Sequence, residues 1–447
     1  MRPTPTLKAL AAALALGAAA PSFALDLMQA WRAALANDAQ LASARSQLQA
    51  TRERVPQARA GLLPSVNATA SLMPQSVDPN VGPTRDFTAR TYAIQLSYPL
   101  FRLQNVESFE QSKLQVSAGE AQYAQATQDL ALRLSQAYFD VLAAQDNLDT
   151  LRAQMRAISE QLAAAKRNFE VGTATITDQQ EAQARYDLAS AQEIAARNDL
   201  EVRRAALAQL IGQPVGELDV LRPGLVLEGP QPAGEAEWVR NARDNNLVVQ
   251  QQRVASEIAR REIDRQRYGH YPTVDVVGSL QRVENSSYAF VGVRTDSTML
   301  GLQLSIPIYA GGGIEARVRE AAASHARSQS DLENARRQAE QGARQAYLGL
   351  NSGLAQVGAL EAAERSSRLA LESNLLGYQV GVRINIDVLN AQQQLYSTQR
   401  DLARARYDAL LNGLRLKSTA GGLGEDDVAQ VNTLLVPPAS GRRVEKP

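Results

Sequence analysis

The chain has 447 residues, 47 basic and 47 acidic side chains, and no cysteine. Formal neutrality without a basic patch argues against nucleic acid, and the lack of Cys excludes disulfides, thiolate metal sites and a Cys-linked lipid anchor. Two histidines, His270 and His325, with no Walker sequence and no Ser-His-Asp order, give no catalytic machinery. The chain is therefore read as not an enzyme, with no cofactor and no metal.

Residues 1–24 have the pattern of a secretory signal. Arg2 and Lys8 form the charged start, Leu7–Ala20 is rich in Ala and Leu, and Pro21-Ser22-Phe23-Ala24 offers small residues for cleavage. Removing the signal leaves a net charge near −2. No later apolar run approaches the roughly 18 residues of a spanning helix. A membrane role would fall to β-strands, which hide in sequence because only alternate residues are apolar.

The first structural repeat is assigned to 25–212. Leu27–Arg59 reads as one helix, with Trp31, Leu35, Leu41, Leu48 and Val55 spaced for a buried stripe, ended by Pro64. Strands are expected at 65–73 and 90–100, where Val66, Ala68, Ala70 and Leu72, then Tyr92, Ile94, Leu96 and Tyr98, alternate with polar or small residues. A loop carrying Pro74, Pro79, Gly82 and Pro83 separates them. Arg102–Asn168 contains no Pro and one Gly, so a continuous helix would extend roughly 100 Å. Val141, Ala144, Leu148, Leu151, Met155, Ile158, Leu162, Ala165 and Phe169 step by three and four, the pattern of a coiled-coil seam. The stretch 169–178, FEVGTATITD, is read as a hairpin tip. Its Gly supplies turn freedom, and Asp178 after Thr177 stands where an N-cap or first-turn acid belongs.

Residues 213–236, rich in Gly and Pro, form the linker between repeats. The second repeat, 237–418, has expected strands at 273–280 and 298–308, a strand-to-helix corner at Gly311–Gly313, and a second tip at 378–387, YQVGVRINID. A polar tail, 419–447, follows, expected to be partly disordered at its end. Phe169 to Tyr378, Gly172 to Gly381 and Asp178 to Asp387 are each 209 residues apart, and the proline-bearing strand starts are 208 apart, so the architecture is duplicated. Aromatic residues flank the strands: Tyr98, Phe101 and Tyr309 at one end, Phe87, Tyr288 and Phe290 towards the other, where interface girdles belong. Period two leaves a soluble sheet and a membrane barrel both open. A lipid-embedded sheet tolerates no free edge and a closed barrel needs about eight strands or more, so four strands per chain would require several copies.

The signal, the tandem repeat of helix, strand pair and long hairpin, and above all the paired VG-x5-D tips at 171–178 and 380–387 resemble the TolC-type outer-membrane channels of type I protein secretion and drug efflux. The resemblance covers about Leu25 to Gly422, and VGTATITD is especially similar to the secretion branch. It implies an α+β membrane protein: tandem coiled-coil hairpins plus two strand pairs, forming a trimeric twelve-stranded outer-membrane β-barrel continuous with a periplasmic α-helical tunnel. It also implies a Gram-negative outer-membrane location with a long periplasmic extension. The implied partners are two further copies of the chain, a periplasmic adaptor protein, an inner-membrane transporter of ABC or RND type, and outer-membrane lipid.

Carried over residue by residue, the resemblance makes Tyr378, Arg383 and Asp178 the closing links of a periplasmic gate, and Asp387 a carboxylate ring in the pore. Asn390 stands where a second aspartate ring belongs, so cation preference and cation block should be weaker than the family pattern. Val171, Gly172, Thr173, Val380, Gly381 and Val382 would form the adaptor-docking tips. The competing readings are a periplasmic coiled-coil adaptor or scaffold without a pore, and a surface adhesin or envelope spacer.

Overall fold

The computed structural model describes residues 24–173 and 175–438. All of the expected signal peptide except Ala24, and the end of the tail from residue 439, lie outside them. In chain order the elements are α1 (Leu27–Asn37), α2 (Ala39–Arg52), α3 (Arg54–Ala60), β1 (Ser65–Val77), β2 (Arg85–Phe101), α4 (Leu103–Glu170) and α5 (Ile176–Ile211). The second half adds β3 (Val220–Leu221), α6 (Glu235–Asn245), α7 (Leu247–Arg267), β4 (Thr273–Glu284), β5 (Arg294–Ser305), α8 (Gly313–Gln379), α9 (Asn385–Thr419), α10 (Glu425–Asn432) and β6 (Leu435–Val436). No helix among the described residues is long and apolar enough to cross a membrane.

The expected single helix over Leu27–Arg59 is three. Asp38 interrupts it because its carboxylate accepts from the Leu41 amide at 2.7 Å and starts a new helix, while Arg133 holds the same carboxylate at 3.1 and 3.2 Å. Bonds from Arg133 and the Leu41 amide outweigh desolvation and hold the Asp38 carboxyl below its usual value. In contrast, α4 is unbroken over 68 residues, about 100 Å of helix.

The chain divides into two compact units, each drawing on both repeats. One comprises Ser43–Gln125 and Leu247–Gln338 and contains the main sheet. Its strand order is β1-β2-β4-β5, antiparallel throughout, so the two expected strand pairs make one sheet. The register carries Val66↔Leu96↔Gly278↔Leu300 and Ala68↔Ile94↔Leu280↔Thr298 across it. One face is therefore apolar and exposed, with Val66, Leu72, Leu280, Leu300, Leu302 and Leu304 all more than half accessible. The other carries Asn67, Thr69, Ser71, Gln95, Ser97, Ser279 and Gln303. The edges β1 and β5 have no partner strand among the described residues.

The strands outrun their expected bounds, at 13, 17, 12 and 12 residues. Polar ends such as Ser76↔Asp86 and Arg282↔Asp296 continue the ladder without an apolar alternation to announce it. Pro74, expected in the loop, lies in β1, where an edge strand tolerates the missing donor. At the other limit, β5 ends at Ser305, so Ile306–Ile308 fall outside it. Phe87 departs from the expected girdle: it is buried, on the polar face. Phe290 and Tyr309 are exposed as expected.

The second unit comprises the described residues of Met1–Ala42, Ala126–Asn246 and Ala339–Pro447. The seam expected on α4 is its core: Val141, Ala144, Leu148, Leu151, Ile158, Leu162 and Ala165 are buried, while Phe169 at the tip is exposed. The linker is tied down from several sides. Val220↔Val436 and Leu221↔Leu435 pair β3 with β6, so the tail is ordered through Val436. The repeat-related tyrosines both donate to linker carbonyls, Tyr138 to Asp219 at 3.0 Å and Tyr347 to Ala233 at 2.6 Å.

Candidate functional site

The two hairpin tips share one backbone turn. The Gly172 amide donates to Phe169 O at 2.9 Å and the Thr173 amide to Asn168 O at 2.8 Å. At the second tip the Gly381 amide donates to Tyr378 O at 3.1 Å and the Val382 amide to Gly377 O at 2.8 Å. These bonds cap the outgoing helix, and they require a left-handed residue, supplied by Gly172 at φ +78° and Gly381 at φ +80°. Val171, Val380 and Val382 are 74%, 65% and 78% exposed, beside the exposed Thr173. The six residues read as docking tips thus stand at the surface of the chain.

The return helices start differently. At the first tip Thr175 is the N-cap: its hydroxyl accepts from the Asp178 amide, and the Asp178 carboxylate accepts from the Thr175 amide at 3.0 Å and hydroxyl at 2.7 Å. Asp178 is the first-turn acid of a complete capping box. At the second tip Ile384 is the N-cap residue and offers no side-chain bond. Asp387 instead faces Arg383 at 3.6 Å, an exposed i,i+4 pair.

Within one chain, therefore, Arg383 meets Asp387, and Tyr378 accepts from Asn168 Nδ2 at 3.3 Å. Asn390 accepts from Arg185 of α5 at 3.0 Å, and Arg185 also bonds Gln393. Asp178 is not brought to Arg383 or Tyr378 within the chain. Arg185, Asn168, Gln161 and Asn385 were missed in sequence. Asn385 is almost fully buried; it accepts from Gln161 Nε2 at 2.5 Å and donates to Asp178 O at 3.2 Å. Its signal was a polar residue on the buried series Val388, Gln392 and Leu395 of α9.

Away from the tips the hairpins stay joined. Tyr396 donates to Ala153 O at 3.4 Å and Arg400 to Gln154 at 3.3 Å. Burial holds the Tyr396 hydroxyl above the ordinary tyrosine value. Among the described residues no cluster of His and acidic side chains could hold a metal.

An exposed apolar sheet face with two edges unpartnered among the described residues, in a chain that also carries paired long hairpins, fits the class of outer-membrane channel polypeptides. The model of a family described as outer membrane efflux protein matches residues 30–213 and 238–422. Outer membrane protein TolC of Vibrio cholerae is 32% identical over 416 residues, covering 92% of this chain and 94% of that protein. Proteases secretion protein PrtF of Dickeya chrysanthemi is 32% identical over 419 residues, covering 91% and 90%. The crystal structure of outer membrane protein VceC of Vibrio cholerae superposes with a TM-score of 0.74 at 19% identity, covering 89% of this chain and 96% of that one.

The chain belongs to the outer membrane efflux protein family. It is an outer-membrane exit duct of an export system, and the reading as a pore-free periplasmic adaptor falls.

Proposed function

We propose that three copies of the chain close a twelve-stranded barrel by joining β1 of one copy to β5 of the next, and that the duct so formed is gated at the hairpin tips. The open edges of the four-stranded sheet carry this reading, because a sheet facing lipid must close on itself. In it Arg383 and Tyr378 of each copy tie its second hairpin to Asp178 of a neighbouring one, and the three Asp387 carboxylates ring the pore. The exposed Val171, Thr173, Val380 and Val382, with Gly172 and Gly381 at the turns, form the surface that a periplasmic adaptor engages. An inner-membrane transporter of ABC or RND type supplies the driving force. The cargo reading is type I protein secretion, supported by PrtF being named a proteases secretion protein, with multidrug efflux second, supported by the word efflux in the family description.

The test is single-channel current in a planar bilayer under a salt gradient. A small, cation-preferring conductance is expected from the native chain, and a larger one from Arg383→Ser and from Tyr378→Phe. Unchanged current in both variants removes the gate assignment. No conductance from folded protein removes the pore.

A further inference from the structure

We propose that Asn385 is a latch that seats the second hairpin tip on the first hairpin of the same chain, a positioning residue for the gate. The inference rests on the gating reading above. Asn385 is the first residue of α9 and only 1% exposed. Its Oδ1 takes the Gln161 amide of α4 at 2.5 Å, and its Nδ2 donates to the Asp178 carbonyl at the start of α5 at 3.2 Å. One side chain thus grips both helices of the first hairpin. Gln161 is itself buried, so the amide pair lies out of water.

The repeat shows how unusual this is. The position equivalent to Asn385, 209 residues earlier, is Ile176, which is 47% exposed. The second hairpin therefore buries an amide where the first exposes an apolar side chain. Burying an amide is unfavourable unless it is bonded. When bonded, a polar residue in a helical seam selects one packing arrangement over its neighbours. An apolar residue would let α9 slide against α4 and α5; Asn385 permits one seating.

The other contacts near the tips are weaker candidates. Asn168–Tyr378 is long at 3.3 Å, and Arg185–Asn390 lies at exposed side chains where water can replace either partner. Separating the hairpins at Asn385 breaks two bonds and strands two buried amides. The latch uses the carbonyl of Asp178, while its carboxylate is engaged by Thr175. The latch and any link from a neighbouring copy to that carboxylate therefore use different atoms of one residue.

The experiment compares single-channel currents of the full-length channel in planar bilayers for Asn385→Leu, the double variant Gln161→Leu/Asn385→Leu and the exchange Gln161→Asn/Asn385→Gln. Arg383→Ser runs beside them. Loss of two buried bonds is expected to move the closed-to-open ratio about tenfold towards open in both leucine variants. The exchange, which rebuilds an amide pair, is expected to return the native current. Native current in the double variant overturns the latch. So does a leak confined to Asn385→Leu, since an unpaired Gln161 would then account for it, and so does an exchange variant that leaks like the leucine ones. A raised current in Arg383→Ser alone overturns the latch and leaves the gate reading standing. No rise in any of these variants, nor in Tyr378→Phe, removes both.

Discussion

The two hairpin tips have the same turn and opposite wiring. Each ends its outgoing helix with matched backbone bonds through a left-handed glycine. The first tip then satisfies itself: Thr175 and Asp178 close a capping box, and Ile176 stays half exposed. The second has no side-chain cap, and its groups turn elsewhere. Asp387 meets Arg383, Tyr378 meets Asn168, and Asn385 reaches into the first hairpin. A capping box stabilises a helix start locally. Forgoing it leaves Asp387 to pair with Arg383 and Asn385 to bond beyond its own turn. The first tip is built as a support, and the second as the part that is held.

Five substitutions would break or sharpen that contrast. The largest effect is expected from Arg383→Ser. An exposed ion pair contributes little stability, so the fold should survive, but Asp387 loses its cation at 3.6 Å. Cation preference, read as a reversal potential under a salt gradient, should rise together with conductance. A conductance rise without a selectivity change would take Asp387 out of the pore.

Next come Gly172→Ala and Gly381→Ala. A left-handed alanine costs about 1 kcal/mol, and at neither glycine would an added Cβ meet another atom within 4 Å, so no clash adds to that cost. Amide hydrogen exchange at each tip should accelerate by the same factor in its own variant. Unequal factors would show that the turns differ in more than side-chain wiring.

Thr175→Ala removes the cap of the first tip and should destabilise its return helix by about 1 kcal/mol, read by the same exchange measurement. The counterpart Ile384→Thr rebuilds the Thr-x-x-Asp box at the second tip with Asp387. It is expected to slow exchange there by a few tenths of a kcal/mol or more, while loosening Asp387 from Arg383. If Ile384→Thr leaves exchange unchanged, Asp387 prefers Arg383 to a cap.

Much of this is legible in the amino-acid sequence. The 209-residue offset located both tips, the three-and-four spacing from Val141 to Ala165 located the seam, and alternation located all four strands. These signals survive in one dimension because helix and strand periods are local properties of the backbone. Strand ends were lost where polar residues such as Ser76 and Asp86 pair without an apolar face to mark them. Asp178 was legible as an N-cap or a first-turn acid, and only the backbone geometry, with Thr175 as the N-cap, decides for the first-turn acid.

By itself, then, the amino-acid sequence determined the duplication, the element types, the turn chemistry of both tips and the family. Tertiary structure alone decided what meets across long separations. It joined β2 to β4 into one sheet, paired β3 of the linker with β6 of the tail, and buried Asn385 against Gln161 and Asp178. Periodicity states which face of an element is apolar, but not which partner covers it. A single asparagine on a helical seam carries no local mark of whether water or another amide will satisfy it.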